Sequence, residues 1–263
     1  MLSFGLLISF VLGAAIGSFL NVVTFRLKSG KKMGLARSEC MSCKKKLSFI
    51  DLIPLVSFVF LRGKCRHCSS KISPQYLIVE LVTAIAFSIV YVSTFYSSGI
   101  MSGTSFVNLL IYWVYVSFLI VIFVYDLKHY LILDKVLVPA FIVALVGSFF
   151  LGYQEMHFHI LGSFIFGFTL LFLYHVSHGT WIGGGDVKLA FVLGLMVGFP
   201  NVIVTFMLAF VLGALISLVL MIFCKKTLKS QVPFGTFLTS ATFLSFFVAA
   251  PMIEWYMQMI YLY

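Results

Sequence analysis

The sequence predicts an all-α fold, a polytopic membrane helical bundle of about eight transmembrane helices that carries one basic cytoplasmic loop. Composition is the first ground: of 263 residues, 62% are hydrophobic and only 10% charged, where a soluble domain carries about a quarter charged residues. Apolar runs of membrane-spanning length recur along nearly the whole chain, and they are continuous rather than alternating, which points to helices and away from a barrel. Charge is the third ground. Twelve of the eighteen Lys and Arg lie in residues 26–75, as short cytoplasmic loops collect basic residues. No aromatic-basic interleaving suggests base stacking, so nucleic acid is not an expected partner.

Placing residues 26–75 in the cytosol orders the rest. The first run, 4–25, lacks a basic region before it and is followed by Arg26 and Lys28, the reverse of a signal peptide, and reads as a retained helix. Spans follow at about 75–96, 104–125, 134–152 and 158–177. A short apolar segment, 187–198, rises only about 18 Å as a helix, so it either spans partly or packs inside the bundle. Runs at 201–223 and 234–253 flank the basic "CKKTLKS", which then falls on the cytosolic side. The expected divisions are a first transmembrane helix (1–25), a four-cysteine cytoplasmic loop (26–75) and a membrane bundle (76–263). Within the loop, "SFIDLIPLVSFVFL" is too short to span and is expected to lie on membrane lipid.

The loop carries "CMSC" (Cys40, Cys43) and "CRHC" (Cys65, Cys68), with twenty-one residues between the pairs. Two such knuckles can bring four thiolates onto one tetrahedral ion, the geometry of structural zinc. Disulfides are the competing reading, and a cytosolic location argues against them. A closed four-thiolate site leaves no open position, so this metal is expected to be structural, not catalytic.

Only eight residues are acidic. Glu39, Asp51, Glu155 and Glu254 fall in or beside loops and are expected to be solvated, and Asp134 reads as the N-cap of the span it precedes. Glu80 lies in the first turns of its helix, deeper than a cap requires, and is a candidate substrate contact. Asp126 closes one span and Asp186 opens another two passes later, so both face the cytosolic boundary. Each alone marks a helix end. Two carboxylates held close cannot both ionise easily, and such a pair can activate water and protonate a leaving nitrogen. Because the start of a helix favours the ionised form of Asp186, Asp126 is the expected protonated partner. Gly183, Gly184 and Gly185 are expected to keep the segment before Asp186 non-helical, offering open backbone to an extended substrate. Lys188 is a further candidate substrate contact.

Five ordered segments resemble the bacterial type IV prepilin peptidases, membrane aspartic proteases of the GxGD type. These are "GSFLNVVTFRL" (17–27), the knuckles with "DLIPLVSFVFLRGKCRHC", "YLIVELVTAIAF", "YDLKHYLILD" and "GGGDVKLA", and "VPFGTFL" (232–238) is similar to a further motif. The resemblance implies that Asp126 and Asp186 are catalytic. It also implies cleavage of the basic leader of pilin-like precursors at a glycine, at the cytoplasmic face of the bacterial membrane. Methylation of the new N-terminal residue, usually phenylalanine, from S-adenosylmethionine is implied as well. Met41, Leu133 and Thr236 stand where the family usually or commonly has proline, and Gln75 where it often has arginine. Two alternatives stay open on the residues alone: a GxGD protease of other membrane-anchored peptides, and a transporter relaying protons through the carboxylates.

Overall fold

In the computed structural model, residues 2–29, 38–98, 103–151, 155–224 and 232–261 are described. The elements are α1 (Leu2–Ser29), a 3₁₀ turn (Ile50–Leu52), α2 (Val56–Phe60), α3 (Gln75–Ser98), α4 (Gly103–His129), α5 (Asp134–Leu151), α6 (Met156–Val176), α7 (Gly184–Val197), α8 (Asn201–Cys224) and α9 (Phe234–Tyr261). Among the described residues seven of the nine α-helices, all but α2 and α7, are long and apolar enough to cross a membrane. The chain divides into two compact units, residues 1–121 and 122–263.

In the first unit α1 lies against α3. Hydrophobicity cannot hold two helices together in lipid, so close backbone approach and hydrogen bonds must. Glycine provides the approach: a Cβ at Gly13 would come 2.8 Å from Ala84 Cα, and one at Gly17 would come 2.8 Å from Glu80 Cα. The hydrogen bond is from Asn21 Nδ2 on α1 to the Tyr76 carbonyl on α3, 3.1 Å. Trp113 of α4 stacks on Phe87 at 5.1 Å and donates its indole N–H to the Phe87 carbonyl.

The second unit is built around α7. Beyond Lys188 this helix is apolar all round, and Val187, Leu189, Ala190 and Val192–Val197 are all buried, as expected of a segment enclosed by its neighbours. At 14 residues it rises about 21 Å, short of a membrane. It runs antiparallel to α6: Ser163 donates to the Phe191 carbonyl at 2.7 Å, and Phe199 N–H donates to the Phe158 carbonyl at 2.9 Å. Its far end therefore reaches the first turn of α6, and the short segment packs inside the bundle. Gly162 permits the contact, since a Cβ there would lie 2.7 Å from the Gly198 carbonyl carbon.

Candidate functional site

In the second unit the last turns of α4 meet the starts of α5, α7 and α9. Asp126, 4% exposed, presents its carboxylate to the first turn of α9, where the Thr236 backbone N–H donates to Oδ2 at 3.0 Å. A helix start has N–H groups without intrahelical partners, and here a carboxylate from another helix supplies one acceptor. Gly235 makes room. A Cβ there would come 2.8 Å from Asp126 Oδ2 and 3.0 Å from Ile132 Cδ1. Ile132 also borders Gly185, where a Cβ would lie 3.2 Å from Ile132 Cβ. The same isoleucine thus lies against both the glycine beside Asp126 and the one that precedes Asp186, which brings the two aspartates to one end of the unit.

Asp186 occupies the third position of α7 and accepts the Gly183 N–H on Oδ2 at 3.1 Å. That is half of a capping box, and glycine has no side chain to complete it. The structure corrects the expectation that all three glycines are non-helical. Only Gly183 is extended, while Gly184 and Gly185 form the first turn of α7. First-turn residues need no intrahelical N–H bond, and Asp186 secures the turn, so glycine's poor helix propensity does not prevail. The irregular backbone lies just before, at His178 (φ 50°) and Gly179 (φ 74°). Asp126 also meets a helix start, that of α9, so the helix-start argument does not distinguish the two aspartates.

Lys188 and Asp134 are brought together. The ammonium binds both Asp134 oxygens, at 2.9 and 3.0 Å, on an exposed surface. Asp134 is the first residue of α5 and not the cap before it, and the pair ties α5 to α7 by at most about 1 kcal/mol.

The first unit holds the cysteines. Cys40, Cys43, Cys65 and Cys68 are free thiols whose sulfurs all lie within 4.8 Å of one another. The two knuckles are built alike. In each, the residue four after the first cysteine has positive φ, 59° at Lys44 and 55° at Ser69, and donates its N–H to that cysteine's carbonyl at 2.9 Å. A bridge on either side (Glu39 with Lys46, Lys64 with Lys71) closes each turn. Thiolates on one tetrahedral ion at about 2.3 Å would stand about 3.8 Å apart, and Cys40 and Cys68 stand at 3.8 Å. Backbone N–H groups of Cys43 and Ser42 hold the Cys40 thiol down at about 6, and the Ser70 hydroxyl and amide lower Cys68. Cys43, although the Lys45 amide draws it down, is carried up to about 11 by burial and by its neighbouring thiols. A cation would reverse that. These four residues can hold one metal ion.

Asp51 is not solvated as expected. Its side chain is 4% exposed, accepts from Ser48 and pairs with Arg66 at 2.8 Å, and these contacts, the Ser48 hydroxyl foremost, hold its carboxyl below the usual range. The apolar stretch around it faces outward, with Phe49 and Phe60 more than 80% exposed. Glu80 is buried and accepts the Leu55 N–H at 2.8 Å, joining this loop to α3.

Residue chemistry alone does not single out Gly235 or Thr236. Their signal in the sequence is the "VPFGTFL" segment, whose glycine the Asp126 carboxylate explains.

The chain is similar to known proteins over most of its length. The Bacterial Peptidase A24 N-terminal domain matches residues 11–94, and the Type IV leader peptidase family matches 113–218. The prepilin leader peptidase/N-methyltransferase of Vibrio cholerae is 33% identical over 222 residues, covering 77% of this chain and 81% of the relative. The protein of the same name from Bacillus subtilis is 28% identical over 259 residues, 96% of this chain and 98% of the relative. That of Pseudomonas aeruginosa is 26% identical over 280, covering 96% and 93%. No solved structure matches. A multi-pass chain related along nearly its whole length to these enzymes, with both family models in order, belongs to the type IV leader peptidase family.

Proposed function

We propose that the chain is an aspartic endopeptidase that removes the leader of type IV pilin-like precursors at the cytoplasmic membrane face, and then N-methylates the residue exposed. The observation that carries this reading is the meeting of Asp126 and Asp186 at one end of the second unit, each with Oδ2 held by a backbone N–H at a helix start. Two carboxylates so held share one proton. The ionised one takes a proton from water as that water attacks the scissile carbonyl, and the protonated one delivers its proton to the departing nitrogen. Backbone at Ser177–Gly183, which lies outside the helices, is the seat of the extended leader, with Gly183, Gly184, Gly185 and Lys188 nearest to it. Twelve basic residues in 26–75 support a cytosolic loop, and the two spans that follow, α3 and α4, return the chain to the same side at Asp126. The outward Phe49, Val59 and Phe60 rest on lipid.

The methyl group comes from S-adenosylmethionine, which presents it on a sulfonium. Acceptor-rich polar residues between α1 and α3 (Asn21, Thr24, Glu80, Thr83), buried in a membrane unit, are suited to a cationic group of this kind. The test is mass spectrometry of a pilin precursor incubated with the purified protein and S-adenosylmethionine. The expected products are the free leader and a mature chain heavier by one methyl group; an uncut precursor rejects the peptidase reading.

The metal at the four cysteines is zinc. Purified protein is expected to carry one zinc per chain, and Cys65→Ser, at a buried ligand, to carry none and to expose the loop amides to faster hydrogen exchange. One retained zinc per chain in that variant, measured by elemental analysis, rejects the assignment.

A further inference from the structure

Glu80 and Asn21 are buried polar groups that the peptidase chemistry does not use. Glu80 is 7% exposed and Asn21 2%. Among the described residues the Glu80 carboxylate accepts the Leu55 N–H at 2.8 Å, and Ser18 of α1 lies beside it. Among the described residues no lysine, arginine or histidine lies within ion-pair distance of it. Asn21 donates its Nδ2 hydrogens to the Gly17 and Tyr76 carbonyls, which fixes the amide and turns Oδ1 away from both. Asn21 Oδ1 is buried and has no donor.

Helix geometry brings these groups to one place. Gly17 abuts Glu80 at the crossing of α1 and α3, and Asn21, one turn further on, meets Tyr76, one turn back. Ser18 and Asn21 are three apart and share a face of α1. Leu55, which delivers its N–H to Glu80, does so from φ 61°, a conformation that a leucine adopts only when its surroundings demand it. The loop is thereby held over the Glu80 end of the crossing.

The set is rich in acceptors and poor in donors, and a buried carboxylate without a cation is costly. Water would satisfy the oxygens but would bring no charge. A primary ammonium brings both, with three donors and no acceptor. We infer that Glu80, Ser18 and Asn21 form a binding site for a primary α-ammonium group. The inference rests on the reading above, which supplies two sources of that group: the amine freed at the new N-terminus by leader removal, and the amino-acid end of the methyl donor.

The test uses the full chain in detergent and ligands that need no cleavage. A synthetic mature N-terminus beginning with phenylalanine is compared with its N-acetylated form, and S-adenosylhomocysteine, which keeps the α-ammonium but lacks the sulfonium, is titrated separately. Glu80→Gln keeps an oxygen for the Leu55 N–H and removes the charge, and zinc content reports whether its loop is intact. At least one arm is expected to respond. Either the wild type binds the free amine about ten-fold more tightly than the acetylated peptide and Glu80→Gln removes the preference, or Glu80→Gln weakens S-adenosylhomocysteine about ten-fold. The responding arm identifies the source. If Glu80→Gln loses zinc, Ser18→Ala serves instead, with an expected weakening of about three-fold in the same arm. Unchanged affinities in both arms overturn the site. Failure of the wild type to cut a precursor would overturn the peptidase reading alone, since neither ligand here requires cutting.

Discussion

Asp126→Asn and Asp186→Asn are each expected to abolish leader cleavage while the protein still folds. Asparagine is isosteric with aspartate, and its carbonyl oxygen can still accept the N–H of Thr236 or of Gly183 that the carboxylate accepts now, at 3.0 and 3.1 Å. What is lost is the proton that the pair must hold and pass on. General acid and base catalysis contributes about 10²–10⁴-fold, and each aspartate serves both halves of the cycle, so a fall of about 10⁴-fold is expected from either change. The double variant should be no slower than the single ones, because residues that act as a unit are not additive. The measurement is the rate at which a synthetic precursor loses its leader, followed by mass spectrometry. Either single variant cutting at the wild-type rate would remove the dyad from the mechanism.

The parts of this site that were legible in the sequence are those whose chemistry is local or conspicuous. Four cysteines in two repeated knuckles announce a metal whatever surrounds them, and eight carboxylates in so apolar a chain are few enough to weigh singly. The spans followed from run length alone. Which helix packs on which did not, because in lipid an apolar side chain gains nothing by facing protein. Leu189 and Leu193, fully buried, read no differently from Leu215, which is 57% exposed. Pairings between distant residues were equally hidden: Lys188 with Asp134, Arg66 with Asp51, Glu80 with the Leu55 amide, and Asp126 with an amide 110 residues away. The last of these involves a backbone group, which carries no signature in sequence at all. The reading of the three glycines failed for a related reason. Helix propensity alone leaves out the side chain of Asp186, which secures the turn before it. The Thr236 backbone N–H bonds Asp126, and a proline at that position would forfeit it.

Gly235→Ala follows from that geometry and should damage catalysis without damaging the fold. Alanine is the better helix former by about 1 kcal/mol, so α9 has no reason to fray. Its Cβ, however, would lie 2.8 Å from Asp126 Oδ2 and 3.2 Å from Asp126 Cγ. Asp126 cannot retreat and keep the 3.0 Å bond from Thr236, and Ile132, 3.0 Å away, blocks the other direction. One of the two must shift, and either shift moves a carboxylate whose position the reaction depends on. Misplacement of about 1 Å costs about 10²-fold, so kcat for leader cleavage is expected to fall by about that factor, with the melting temperature held. Gly103→Ala is the control, because nothing lies within 4 Å of the Cβ it would add, and its kcat should be that of the wild type. A Gly235→Ala enzyme as fast as the control would mean that Asp126 does not work from the position it occupies against α9.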